Sequence, residues 1–366
     1  GRTVPVVSPS GPRRLMGWCR RCCYGCLGCI AVVVALLAVA VQRLKALGDV
    51  EEPPTSMAAA PALNIPKLAL PDGGGMPFIG LGLCCRLSAM GDSVRKSVLW
   101  YLLLGGRHLD DAELYGNHGP VGEGIRQAIA RGVPREEIFF ATKIPGHLFG
   151  TRSTTEWFDK MLRDTGLDYV DLVLLHAAGP EKHAKQDLEC GSMPNMRRCR
   201  EETWLALDAL RSQGKIRHLG VSNFGPRQME ELLELKRAPV AVNQLEYHPW
   251  IGDVHRKAVD FCHRHGVAVT AHTLFGGAMG AEAAFKDPSL QAIAQAHGKS
   301  PSQVLLRWAF QQNVSAVPGT GKPGHMRSNA EVFDFELSAE EMSRIAQFST
   351  QAQVSKYPYH VPDAIL

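Results

Sequence analysis

The sequence predicts an α/β chain folded as a (β/α)8 barrel, on three observations. From residue 64 onward, short apolar runs alternate with amphipathic helical stretches. Eight such pairs occupy about 280 residues, the size of one barrel of this kind. Ionisable or hydrogen-bonding residues close run after run, and the C-terminal ends of the strands are where such a barrel carries its chemistry. A doubly wound open sheet would place a full G-x-G-x-x-G loop after its first strand. The stretch GLGLCC at 80–85 lacks that loop.

In chain order the predicted strands are FIGLGL (78–83), RHLD (107–110), IFFATK (138–143), VDLVLLH (170–176), IRHLGV (216–221), VAVNQL (240–245), VAVTAH (267–272) and VSAVPG (314–319). Each is short, apolar and bounded by turn formers, as a strand covered on both faces requires. Helices are expected at 92–104, 120–131, 154–165, 201–213, 226–236, 253–265, 301–311 and 323–331. A further helix at 338–348 opens on Ser338 with Glu341 three residues on, a capping-box pattern.

The flanks read differently. Residues 1–45 are basic and contain an uncharged apolar run at 22–42. A run of roughly 20 apolar residues spans a bilayer core at about 1.5 Å per residue. Arg13, Arg14, Arg20 and Arg21 precede it, so the positive-inside rule puts the N-terminus in the cytosol and the domain across the membrane. A cleaved signal peptide is the alternative. The expected location is a single-pass membrane or secretory-pathway protein, with a true start upstream of Gly1. Cys19, Cys22, Cys23, Cys26 and Cys29 beside those arginines point to acylation rather than metal binding. The other five cysteines, Cys84, Cys85, Cys190, Cys199 and Cys262, show no disulfide framework in their spacing. Residues 46–63, rich in Pro and Ala, are expected to be a flexible tether, 64–348 the barrel, and 349–366 a C-terminal tail. Net charge is +4, but residues 1–48 hold seven Arg and Lys and no acid, which leaves a mildly acidic body. That excludes nucleic acid as a main partner; a monomeric barrel is expected.

The strand-end residues carry the functional signal. They are Asp110, Lys143, His176, Ser222 with Asn223, Gln244 and His272. Tyr115 follows Asp110 by five residues. A tyrosine hydroxyl ionises near pH 10, so it is a weak acid until a nearby ammonium stabilises its phenolate. A carboxylate would hold that lysine charged, and a neutral histidine would orient a carbonyl oxygen. The set suits protonation of a carbonyl as hydride arrives. No metal-ligand spacing occurs in the barrel. The sequon at Asn313 and the long loop 177–199 are further landmarks; in a barrel that loop overhangs the site.

The motifs HLDDAELYGN, FFATK, DLVLLH, GVSNF and NQLEYHP, in this order from about Leu68 to Leu337, resemble the aldo-keto reductases, relatives of aldose reductase and the diketogluconate reductases. The resemblance implies NADP(H)-dependent reduction of a small carbonyl substrate, with NAD(H) as the alternative cofactor. It makes Tyr115 the general acid, tuned by Lys143 and Asp110, with His176 orienting the carbonyl. Ser222, Asn223 and Gln244 would hold the nicotinamide. It adds Gly82, Leu83, Asp110, His272, Thr273, Leu274, Phe275 and Gly276 to the cofactor site, and Gly319, Thr320, Lys322, His325 and Asn329 at the phosphate end. Cys84, Ala177 and His176 would face substrate.

Several positions depart from the family pattern. His272 stands where a tyrosine usually stacks on nicotinamide. Cys84 and Ala177 stand where tryptophans line the pocket, so a wider pocket is expected. Gly319, Thr320 and His325 replace a Lys, Ser and Arg set, with Lys322, Arg327 and the amides of 323–326 as substitutes. Asp111 stands where threonine is usual, and a second carboxylate near Tyr115 would raise its pKa. These departures leave open a second reading, an NADP(H)-binding sensor or scaffold with little turnover.

Overall fold

The computed structural model describes residues 49–85, 90–180, 189–190 and 196–348. The expected membrane run 22–42 and the tail 349–366 lie outside them. Among the described residues, no helix is long and apolar enough to cross a membrane.

An antiparallel hairpin comes first, β1 (Lys67–Ala69) and β2 (Gly75–Pro77), with Leu68 opposite Met76. Eight parallel strands follow: β3 (Leu81–Gly82), β4 (His108–Asp110), β5 (Phe139–Ile144), β6 (Val170–Leu175), β7 (Ile216–Ser222), β8 (Val242–Glu246), β9 (Ala268–His272) and β10 (Val314–Ala316). Each pairs with its chain neighbour. A parallel bridge between Ile79 and Ala316 closes the sheet, with the Ala316 amide donating to Phe78 O at 2.8 Å and the Gly80 amide to Ala316 O at 2.9 Å. The curled sheet is a (β/α)8 barrel.

The eight helices expected between the strands form within a few residues of their expected ends, as does the last one. Their start signals act locally. Ser300 caps Pro301–Gln311 and Ser338 caps Ala339–Ala346, both through complete capping boxes. Two further helices, Gly277–Phe285 and Pro288–Ala296, lie between β9 and the Pro301 helix and were not expected. The first is Ala- and Gly-rich, with no clear apolar stripe to signal it. The second does carry a start signal: the Asp287 carboxylate accepts from the Ser289 and Leu290 amides.

The core divides by strand face. Phe139 and Ala141 on β5, Leu172 and Leu174 on β6, Val242 on β8 and Ala268 on β9 pack together with Leu68, Met76 and Phe78 of the hairpin. These share the inward face, since side chains alternate across a strand. The hairpin therefore closes the N-terminal end of the barrel, where Asp72 accepts from His218 at 2.8 Å. Continuing the same two-residue step puts Lys143, His176, Ser222, Gln244 and His272 on the inner face at the C-terminal end.

Over residues 50–63 the tether expectation fails. Val50 is buried. Glu52 takes both terminal nitrogens of Arg95, and Glu51 O accepts from Trp100 Nε1 at 2.8 Å. The Ala60 amide donates to Leu103 O at 2.9 Å and the Leu63 amide to Gly105 O at 2.8 Å. Proline and alanine cannot signal such docking, because it is made by backbone groups and by a helix residue 43 positions away in sequence.

Candidate active site

Lys143 is the centre of the site. It lies on the inward face of β5 and is 1% exposed. Its ammonium donates to both Asp110 oxygens at 2.9 and 2.8 Å, to Asp111 O at 2.9 Å and to the Tyr115 hydroxyl at 3.4 Å. Gln244 Nε2 donates to Asp110 Oδ1 at 2.8 Å. A buried ammonium needs such a partner set to remain charged. Burial alone would lower its pKa, but Asp110 and Tyr115 outweigh it and the lysine is held above its ordinary value.

Tyr115 ends the 3-10 turn Glu113–Tyr115, and Gly116 leaves it in the left-handed region at φ 64°. That turn brings the phenol from beyond β4 over the strand ends, edge-to-face with His176 at 5.9 Å between centroids. Its pKa is raised: burial comes first, and Lys143 pulls against it without prevailing. The expected lowering by Lys143 is thus outweighed by desolvation. The phenol keeps its proton at neutral pH, which is the state a general acid requires.

Burial, then the Lys143 charge, pushes His176 down to about 3, so its imidazole is neutral. Its Nδ1 is buried without a hydrogen bond. An unpaired lone pair is the cheaper of the two orphans, so the ring proton belongs on Nε2.

Asp111 is completely buried, and neither of its carboxylate oxygens has a hydrogen-bond partner. Burial raises it to about 7, against the pull of His118. His118 Nε2 is 3.9 Å from Asp111 Oδ2 and 2.8 Å from Thr142 Oγ1, and its Nδ1 is 3.1 Å from Glu113. Sequence reading missed His118 and Glu113. The available signal was their spacing around Tyr115, but only the turn shows that they face Asp111. The Asp111 charge is among the influences that raise Tyr115, in the expected direction.

The remaining strand-end groups form a second ring of contacts. Ser222 Oγ donates to Gln244 O at 3.0 Å. Asn223, in the left-handed region at φ 59°, donates through Nδ2 to His176 O at 3.0 Å. Its Oδ1 can only accept, so His272 Nε2 donates to it at 3.0 Å, and His272 Nδ1 accepts from the Thr273 hydroxyl at 2.7 Å. The imidazole is therefore held by its edge. Thr273 leads to Gly276 through a tight turn, with the Gly276 amide 2.7 Å from Thr273 O; Leu274 is buried and Phe275 packs on Phe285.

On the far side, Gly82 and Leu83 are buried at the end of β3, against Asp110. The loop after β10 carries exposed Gly319, buried Thr320 and exposed Lys322, His325 and Arg327, with Asn329 buried behind them. The Thr320 hydroxyl accepts from the Lys322 amide at 3.1 Å. Lys322 caps the N-terminus of helix Pro323–Ala330, where cation and first-turn amides form a donor set suited to a phosphate, and Arg327 lies in the last turn.

One cysteine expectation is corrected: Cys190 is joined to Cys199, nine residues on. Cys84 is half-buried and Cys85 exposed directly after β3, and Ala177 is half-buried after β6. A cleft of about 370 Å³ lies at the opposite end among Gly74, Glu137, Asp171, Arg217 and His218, and its buried carboxylate Asp171 is already paired with two arginines.

A buried Asp–Lys–Tyr cluster with a neutral histidine, set at the C-terminal mouth of a (β/α)8 barrel, defines an oxidoreductase class. The chain belongs to the aldo/keto reductase family, whose model matches residues 91–350. It is 34% identical over 284 residues to a 9,11-endoperoxide prostaglandin H2 reductase of Trypanosoma cruzi, covering 77% of this chain and 91% of the relative. It is 32% identical over 306 residues to an NAD(P)H-dependent D-xylose reductase of Candida tropicalis, covering 78% and 92%. The structure of a Bombyx mori aldo-keto reductase in complex with NADP matches with a TM-score of 0.69 at 31% identity, covering 79% of this chain and 94% of that one.

Proposed function

We propose that this protein reduces aldehydes or ketones to alcohols with NADP(H), and that Tyr115 donates the proton. The observation that carries the reading is the buried Lys143, bound to Asp110 and reaching the hydroxyl of a protonated Tyr115 beside a neutral His176. When bound, the reduced nicotinamide supplies the hydride. The residues of this chain do the rest. His176 Nε2–H orients the carbonyl oxygen. Tyr115 transfers its proton to that oxygen as charge develops there. Lys143 stabilises the phenolate left behind, and Asp110 keeps Lys143 charged. Ser222, Asn223 and Gln244 offer amide and hydroxyl groups for a carboxamide. Lys322 and Arg327 with the amides of Gly324 and His325 suit the 2′-phosphate that distinguishes NADP(H) from NAD(H), and the NADP-bound relative is consistent with that choice.

Tyr115→Phe tests the assignment. Turnover of a small aldehyde should fall by about 10²–10⁴-fold, while NADPH still quenches tryptophan fluorescence. Near-normal kcat in the variant would sink the role of Tyr115. Quenching without NADPH consumption in the parent would favour a binding or sensing role.

We further propose a secretory or membrane location for the domain. The Cys190–Cys199 disulfide favours an oxidising compartment. Asn313 of the sequon is exposed, at the end of the barrel away from the site. A glycosidase-sensitive mobility shift that Asn313→Gln abolishes is the expected result; a protein recovered unglycosylated from the cytosol would contradict the location.

A further inference from the structure

The turn that carries Tyr115 has no apolar anchor of its own. None of the residues Glu113–Tyr115 is buried, and Leu114 at its centre is exposed. Its internal bonds run from the Tyr115 amide to Ala112 O and from the Gly116 amide to Glu113 O, both at 3.1 Å. A single 3-10 turn is only weakly held by bonds of this kind. A general acid, however, must lie within about 2.6–3.2 Å of the atom it protonates. Contacts from outside the turn have to fix it.

The Glu113 carboxylate is where the turn is tied down. His118 Nδ1 lies 3.1 Å from Glu113 Oε2, and Trp157 Nε1 donates to the same oxygen at 3.0 Å. Lys160 Nζ is 3.8 Å from Oε1. His118 first, with Trp157 and Lys160, holds the acid down to about 2 against the pull of burial. The carboxylate is therefore ionised and can only accept, so His118 Nδ1 donates to it. The other ring nitrogen, Nε2, is 2.8 Å from the hydroxyl of Thr142, the β5 residue just before Lys143. Lys143 in turn reaches the Tyr115 hydroxyl at 3.4 Å. The contacts close a ring from Tyr115 through its turn to Glu113, His118, Thr142, Lys143 and back. His118 and Thr142 are buried, so water does not compete for the link between them.

We propose that Glu113 and His118 are a positioning pair, which acts through the turn to set the Tyr115 hydroxyl against Lys143 and the carbonyl oxygen. The pair fastens the turn to the strand that bears the lysine. Acid and lysine then keep one spacing although Leu114 and Gly116 face water. A misplacement of about 1 Å at a reacting group can cost roughly 10²-fold in rate. Loosening the anchor should therefore lower kcat and leave cofactor binding alone. Glu113 and Thr142 are links of one ring, so removing either opens it and removing the second adds little. The effect on catalysis rests on the reductase reading; the anchoring of the turn does not.

The test is Glu113→Ala in the full chain, where the lost side chain is half-buried and the fold tolerates it. Its kcat for propanal should fall by about 10²-fold, with KM for NADPH unchanged. The solvent isotope effect on kcat should rise, because proton transfer from a displaced phenol becomes the slower step. Glu113→Gln, whose amide oxygen still accepts from His118, should recover most of the loss. Thr142→Val should lose kcat as well, and the double variant should be little worse than the weaker single one. Hydrogen exchange of the Tyr115 and Gly116 amides should quicken in Glu113→Ala. Tyr115→Phe is measured beside them. If that variant loses turnover, four results would each overturn the positioning pair: parent-like kcat or unchanged amide exchange in Glu113→Ala, a loss confined to KM, a Gln variant as poor as the Ala one, or single losses that add in full. Quickened exchange in a protein whose parent turns over no aldehyde would sink the reductase reading and the effect on catalysis, and leave the anchor standing.

Discussion

Asp111 shows how far one side chain can be read from its neighbours in sequence. Two aspartates in succession gave a clear choice of role, because a strand's last inward residue meets the barrel axis and the next one turns away. The structure adds that Asp111 turns into a dry pocket shared with His118 rather than into water. Its folded pKa, about 7, lies above the ordinary 3.8. The native state therefore binds that proton more tightly than the unfolded chain. The resulting stabilisation is complete below about pH 4 and is lost as pH rises to about 7. Asp111→Asn, which cannot ionise, should therefore gain on the parent across that window, by roughly 2–4 °C in Tm for each kcal/mol. Thermal melts at pH 4, 6 and 8 check this. A difference that stays constant with pH would show that Asp111 is charged throughout.

At the scale of elements, the strands and most helices were legible because their signals are local: apolar runs, caps and turn formers. The segment 50–63 was not, since its partners are backbone groups of Leu103 and Gly105. Gly105 is the residue that admits it. Its φ is 95°, and a Cβ there would run into Pro61 O and the Leu63 amide. Gly105→Ala should cost about 1–2 kcal/mol from the backbone alone. It should also lift the segment, exposing the Ala60 and Leu63 amides to hydrogen exchange. Unchanged protection of those two amides would mean that the segment is held by other contacts.

The whole molecule separates stability from chemistry along the barrel axis. The hairpin packs Leu68, Met76 and Phe78 into the N-terminal end, and the Lys143 cluster fills the other. Met76 is 1% exposed. Met76→Ala should destabilise the fold by about 2–5 kcal/mol and leave kcat per folded molecule unchanged. A denaturant midpoint measured beside specific activity tests this; loss of activity without loss of stability would show that the two ends are coupled.

The sequence by itself determined the barrel, the order of its strands and the identity of Asp110, Tyr115, Lys143 and His176 as one site. Period-two alternation and strand-end position are properties of the chain alone, so they can be read from it. Only the tertiary structure decided which charges are buried, and with that the direction of each pKa. It also decided the pairing of Cys190 with Cys199, the edge-on bonding of His272 to Asn223, and the docking of 50–63. Each of these depends on desolvation or on contact between residues apart in the chain. Such quantities exist only once the barrel has closed around them.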